Sequence, residues 1–225
     1  VVGHELTEAR RYSFLVGSNE PSHTAQQHLI PLLLSADKRP ALETIEEAFS
    51  IERVTDQFFL EYKQLFEKIK AELEHMVKRD KTVRQEFESK EVNCTDFAKK
   101  LLGQLVFLYF LQKKGWLGVG RDEAGQPADW GSGPRDFLRR LFTQRDYQNF
   151  FNDVLEPLFY QILAVDRRKE QDWCMLDCRI PFLNGGLFEP VKNYDWQTVD
   201  ILLPNSLFDE IFTVFDRYNF TVKED

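Results

Sequence analysis

Apolar positions change period once along this chain. Tyr12, Phe14 and Val16 alternate with Arg11, Ser13 and Leu15 ahead of Gly17, Ser18, Asn19 and Pro21, which predicts a short strand followed by a turn. A lone strand leaves its backbone groups unpaired, so its neighbour is expected upstream or on another chain. From Ser22 the spacing is helical, with Pro31 interrupting a segment through Leu34 and Pro40 opening a short helix that carries Leu42, Ile45 and Phe49. A longer helix follows, capped by Thr55 and stapled by Val54 and Phe59, with Phe58, Tyr62, Leu65, Ile69, Leu73 and Met76 on one stripe. Alternating charges between Lys78 and Glu91 describe a solvated helix face.

Thr95 is expected to cap a helix that runs to Lys114 and stops at Gly115. Between Leu101 and Leu111 it is apolar nearly all round, which places it at the centre of a bundle. Five glycines between 118 and 133 predict an exposed, mobile loop. Pro134 restarts a helix through Phe142, and the apolar pairs Phe150-Phe151, Val154-Leu155, Leu158-Phe159 and Ile162-Leu163 draw a second core helix. Pro157 lies inside it and withholds a donor from the carbonyl of Asp153, so a kink or break is expected. Gly185 and Gly186 sit between apolar pairs in a tight, buried turn, and Ser206 with Asp209 suggests a capping box for a last helix bearing Leu207, Phe208, Ile211, Phe212 and Phe215. The expected fold is therefore mainly α: an irregular helical bundle over 22–225, with a strand and turn over 1–21 left from an upstream domain. The chain is expected to be a piece of something longer.

Composition narrows the function. With 43% hydrophobic and 29% charged residues in 225, the chain suits a soluble globular body rather than disorder. The longest apolar run, Leu105 to Leu111, is too short to cross a membrane. A net charge of -8 excludes a wholly cationic nucleic-acid sleeve, so any DNA contact must be local. Twenty phenylalanines point to aromatic packing. Three cysteines do not make a secreted disulfide framework, and a reducing cytoplasm is expected.

Candidate chemistry is sparse. A glycine loop for a nucleotide-like cofactor should follow a strand, whereas Gly131, Ser132 and Gly133 follow no apolar strand and read as linker. Asp56, Glu61 and Lys63 have the letters of a magnesium nuclease site but fall on an amphipathic helix. Cys174 and Cys178, near Asp172 and Asp177, supply half a zinc site; His23 and His28 are remote, so free thiols are the favoured reading. No serine or cysteine is visibly paired with histidine for a nucleophile triad. Basic doublets remain. Lys113, Lys114, Arg139, Arg140, Arg167 and Arg168 are the candidate DNA-backbone ligands, with ordinary helix-end charge compensation as the alternative.

Four stretches carry a resemblance: Arg11 to Gly17 (RYSFLVG), Val54 to Phe66 (VTDQFFLEYKQLF), Leu101 to Gly118 (LLGQLVFLYFLQKKGWLG) and Pro181 to Glu189 (PFLNGGLFE), with Ile211 to Val222 (IFTVFDRYNFTV) as a fifth. In order and spacing they resemble the region joining the domains of single-chain type IIG restriction-modification enzymes and the related adenine-specific DNA methyltransferases of phage-exclusion systems. That resemblance implies a helical connector between a nuclease-like and a methyltransferase domain. It also implies a parent that methylates adenine N6 with S-adenosylmethionine and, in restriction members, cleaves DNA with magnesium. The family's cofactor loop, base-gripping loop and nuclease motif have no matching positions here, so no catalytic, cofactor or metal residue is carried over. DNA and the flanking domains are the implied partners; a stand-alone DNA-binding module and a protein-interaction scaffold are the alternatives.

Overall fold

The computed structural model describes residues 13–14, 16–17, 22–34, 40–49, 51–167, 174, 176–183 and 186–220, with 51–54 described by backbone alone. Described residues are mainly helical, as the periodicity predicts. Of the strand expected over 11–16, Arg11, Tyr12 and Leu15 lie outside them. Two compact units are formed, Val1–Leu60 with Arg217–Asn219 and Glu61–Asp216 with Phe220–Asp225. The division falls within a helix, whereas the sequence places its boundary at the polar turn ending at residue 21.

In the first unit, α1 (His23–Leu34) continues through Pro31 and buries no side chain. It is followed by α2 (Leu42–Ala48) and the opening turns of α3 (Ile51–Arg79). Aromatic contacts organise this unit: Phe14 stacks on Phe49 with ring centres 4.7 Å apart, and Tyr218 meets Phe58 edge-on at 5.0 Å.

The second unit holds the main core. The α3 stripe enters it as Leu65, Ile69 and Leu73, all buried. Asp80 ends that helix and starts α4 (Lys81–Ser89) by accepting from the backbone N–H groups of Thr82 and Val83 at 2.7 and 3.1 Å. Although the charges of α4 are solvated, Val83 and Phe87 are buried, so this is an amphipathic helix. α5 (Cys94–Lys113) is central, as expected, with buried side chains all round it from Phe97 to Gln112. Its cap is Asn93, not Thr95: the Asn93 side chain accepts from the Thr95 N–H at 2.7 Å. At the other end Gly115 has φ +68°, and the N–H groups of Gly115 and Trp116 return to Gln112 and Leu111. This is the left-handed stop that glycine favours.

The glycine-rich loop expected over 118–133 is exposed from Gly120 to Trp130, with Ala128 half-buried, and its two ends are packed together. The N–H groups of Gly131 and Gly133 both donate to the Gly115 carbonyl, at 3.1 and 3.0 Å. Leu117 and Val119 are fully buried, and Val119 pairs with Arg179 in an antiparallel bridge. Next, α6 (Phe137–Gln144) starts three residues after Pro134 and buries Phe137, Leu138 and Leu141.

The second core helix departs from expectation. Pro157 does not break it: Glu156 and Pro157 keep helical backbone angles, and the flanks Phe151–Leu155 and Leu158–Leu163 are π-helical. The Glu156 N–H reaches back five residues to Phe151, and the Ala164 N–H to Phe159. The cause is in the spacing. The apolar pairs recur every four residues, and at 3.6 residues per turn each step overshoots a full turn by about 40°. An α-helix would spiral that stripe off the core; wider π turns reduce the overshoot, and all eight paired residues from Phe150 to Leu163 are buried.

Finally, α7 (Asn205–Phe215) buries Leu207, Phe208, Ile211, Phe212 and Phe215 as the pattern predicts. The capping box is not made. Pro204 precedes the helix without a side-chain cap, Asp209 turns to Arg139, and Asn205 instead accepts from the Phe150 N–H at 2.8 Å.

Candidate nucleic-acid interface

Five of the six basic residues singled out in the sequence are described. Arg139, on α6, forms two bonds to Asp216 at 2.8 and 3.0 Å and one to Asp209 at 2.7 Å. Tyr109 on α5 donates to the other oxygen of Asp216 at 2.8 Å. Burial and the neighbouring Asp216 push the Tyr109 phenol above its ordinary range. Arg139 thus joins α6 to α7 and is not a free phosphate ligand, which corrects its assignment. Removing it as Arg139→Ala is expected to cost roughly 1 kcal/mol, since the pair is partly exposed. Arg139→Lys should recover little of that, because a lysine cannot present the same two-pronged geometry. Urea denaturation midpoints check both.

Arg140 pairs with Asp136 one turn away at 2.7 Å. Arg167 donates to the carbonyls of Ile162 and Ile180, the latter at 2.6 Å, and so fastens the end of the π-helical segment. Arg168 lies outside the described residues.

Lys113 and Lys114 end α5, where cations oppose the helix dipole. Sequence reasoning missed their neighbour. Arg135 donates to the Lys113 carbonyl at 2.6 Å and to Gly131 at 3.1 Å. Bonds to neutral carbonyls order the guanidinium and leave its charge in place, so three cations gather at one helix end. Their gathering depends on the 115–133 fold, which brings Arg135 back to a residue 22 positions earlier. Nearby, Arg179 lies 4.3 Å over the Trp130 ring and donates to Ala128 at 2.9 Å.

A second cluster is buried. Glu156, fully excluded from solvent, accepts from the Tyr194 hydroxyl, which stands 3.2 Å from that of Tyr160. The other carboxyl oxygen has no partner. Burial, reinforced by Asp200 and Asp153, pushes the Glu156 carboxyl up to about 8 against the opposing Tyr194 bond. Among the described residues no group of three or more His, Cys, Asp or Glu is placed to hold a metal ion, and no helix is long and apolar enough to cross a membrane.

Comparison with protein-family models, curated proteins and solved structures finds no match for this chain.

Proposed function

We propose that this chain is the helical connector of an adenine-specific, S-adenosylmethionine-dependent DNA methyltransferase of the type IIG restriction-modification or phage-exclusion kind. It acts as a spacer between nuclease-like and methyltransferase domains and has no chemistry of its own. One observation carries the reading: three of the stretches that bear the resemblance pack on one another. Gln104 and Phe107, in the stretch 101–118, hold the stretch 181–189 through the Leu187 carbonyl at 2.8 Å and the Phe188 ring at 6.1 Å. Tyr109, in the same helix, meets Phe212, Phe215 and Phe220 of 211–222, with ring centres 5.1 to 6.2 Å apart. Residues that look like sequence signatures are thus one aromatic core, as a rigid spacer requires. At about 25 cal/mol per Å², burial on this scale outweighs surface charge.

Contact with the DNA backbone, in this reading, is made by Lys113, Lys114 and Arg135. Calorimetry with the 225-residue chain should show no saturable S-adenosylmethionine binding; a micromolar site would sink the connector reading. In fluorescence anisotropy, duplex DNA should bind weakly and lose affinity as salt rises. Lys113→Glu with Lys114→Glu should abolish that binding.

A further inference from the structure

Cys174 and Cys178 face each other across a turn. The Asp177 N–H donates to the Cys174 carbonyl at 3.0 Å, and the Cys174 N–H donates to the Cys178 carbonyl at 3.1 Å. Asp177 reverses the chain with φ +54°. The second of these bonds brings the backbones of the two cysteines side by side, as a disulfide requires. Their side chains are close: the Cys174 thiol donates to the Cys178 carbonyl at 3.3 Å. Both are reduced and only half-buried, so a small reagent can reach them. The third cysteine, Cys94, is remote on α5 and serves as an internal control.

We propose that Cys174 and Cys178 are a reversible redox pair, a dithiol that a small disulfide of the glutathione class converts to an intrachain disulfide. The Cys174 thiolate attacks one sulfur of oxidised glutathione, the glutathione S–S bond breaks, and one glutathione thiolate leaves. Cys178 then gives its proton to solvent, its thiolate attacks the Cys174 sulfur, and the second glutathione thiolate leaves. Two cysteine thiols have lost two electrons, and one oxidised glutathione has become two reduced ones. Cys174 is the attacking group because the adjacent Cys178 side chain holds its thiol below the usual range against burial, with Arg167 assisting. Cys178 is pushed up. Cys94 is also raised, by burial and Glu74. Ring closure would fasten the turn from which the next residue, Arg179, reaches Val119, Ala128 and Trp130.

The test is titration of the full chain with oxidised glutathione at neutral pH, followed by acid quench, alkylation and mass spectrometry. Two of the three thiols should be lost, with 174 and 178 cross-linked in one peptide, and dithiothreitol should restore both. Cys178→Ser should instead trap one glutathione on Cys174, while Cys174→Ser should slow reaction at Cys178 by about tenfold or more. Cys94 reacting as fast as Cys174, an unmodified Cys178→Ser variant, or wild-type protein ending as mixed disulfides or cross-linked dimers would each overturn the proposal.

Discussion

Gly133→Ala is expected to destabilise the protein by on the order of 3 kcal/mol, although it adds a single methyl group in a segment whose composition reads as a flexible linker. A Cβ at this position would stand 2.8 Å from the Gly115 carbonyl oxygen and closer still to that of Leu117. Both obstacles are backbone, so no side-chain rotation relieves them. The Gly115 oxygen already accepts from Gly131 and Gly133, and Leu117 is fully buried. Making room either breaks those bonds or drags Leu117 out of the core, and it also displaces Arg135 from the end of α5. The contrast is Gly103→Ala. No atom lies within 4 Å of that added carbon, and the position is inside α5. There the substitution should stabilise by about 0.5–1 kcal/mol through helix propensity. Urea midpoints of the two variants should move in opposite directions; a Gly133→Ala protein as stable as wild type would mean the glycine turn is not closed as described.

Stability should fall as pH rises from about 4.5 to about 8, and Glu156 should account for most of that slope. The folded carboxyl titrates near 8 because it is buried beside Asp200 and Asp153, against 4.5 for the free group. Between those values the folded state keeps a proton that the unfolded state has released. Raising pH therefore favours unfolding by about 1.4 kcal/mol per unit. The contribution is fully present below about 4.5 and is lost as pH passes the folded value, for a total of several kcal/mol. Glu156→Gln preserves the shape and an acceptor for Tyr194 but cannot ionise. Denaturation at pH 5 and pH 8 should show a large difference for wild type and a small one for the variant. An identical slope in both would remove Glu156 as the cause.

The helices were legible wherever burial is one-sided or complete. The four-residue and three-residue spacings of α3 and α7 and the all-round apolar character of α5 marked core helices, and those side chains are buried. Local signals misled where a long-range partner decides the geometry. Ser206 and Asp209 have the letters of a capping box, yet Asp209 is taken by Arg139 from 70 residues earlier. The exposure of the 118–133 loop was legible from its glycines and polar residues, but the anchoring of its ends by Val119 and Gly133 was not. The four-residue repeat from Phe150 to Leu163 was visible and was read as α because 3.6 and 4 differ little over two turns; over three steps the difference accumulates. Of the candidate phosphate ligands, the lysines at the end of α5 were legible as a helix-end pair. Arg135 was not, since only the folded turn brings it there. The Glu156, Tyr160 and Tyr194 cluster had no sequence signal, because nothing in the spacing of 156 and 194 announces that they meet.

The π-helical turns carry a rule about length. In a regular helix the wheel position of a residue depends only on its number, whereas here each widened turn absorbs part of a residue. Shortening this stretch by one position would let it relax to tighter winding and rotate everything beyond by about 100°. Ile162 and Leu163 would then swing toward water, and Arg167 would lose its hold on Ile180. Same-length replacements of one aliphatic side chain by another leave that phase untouched. This helix should therefore drift freely in letters while staying fixed in count.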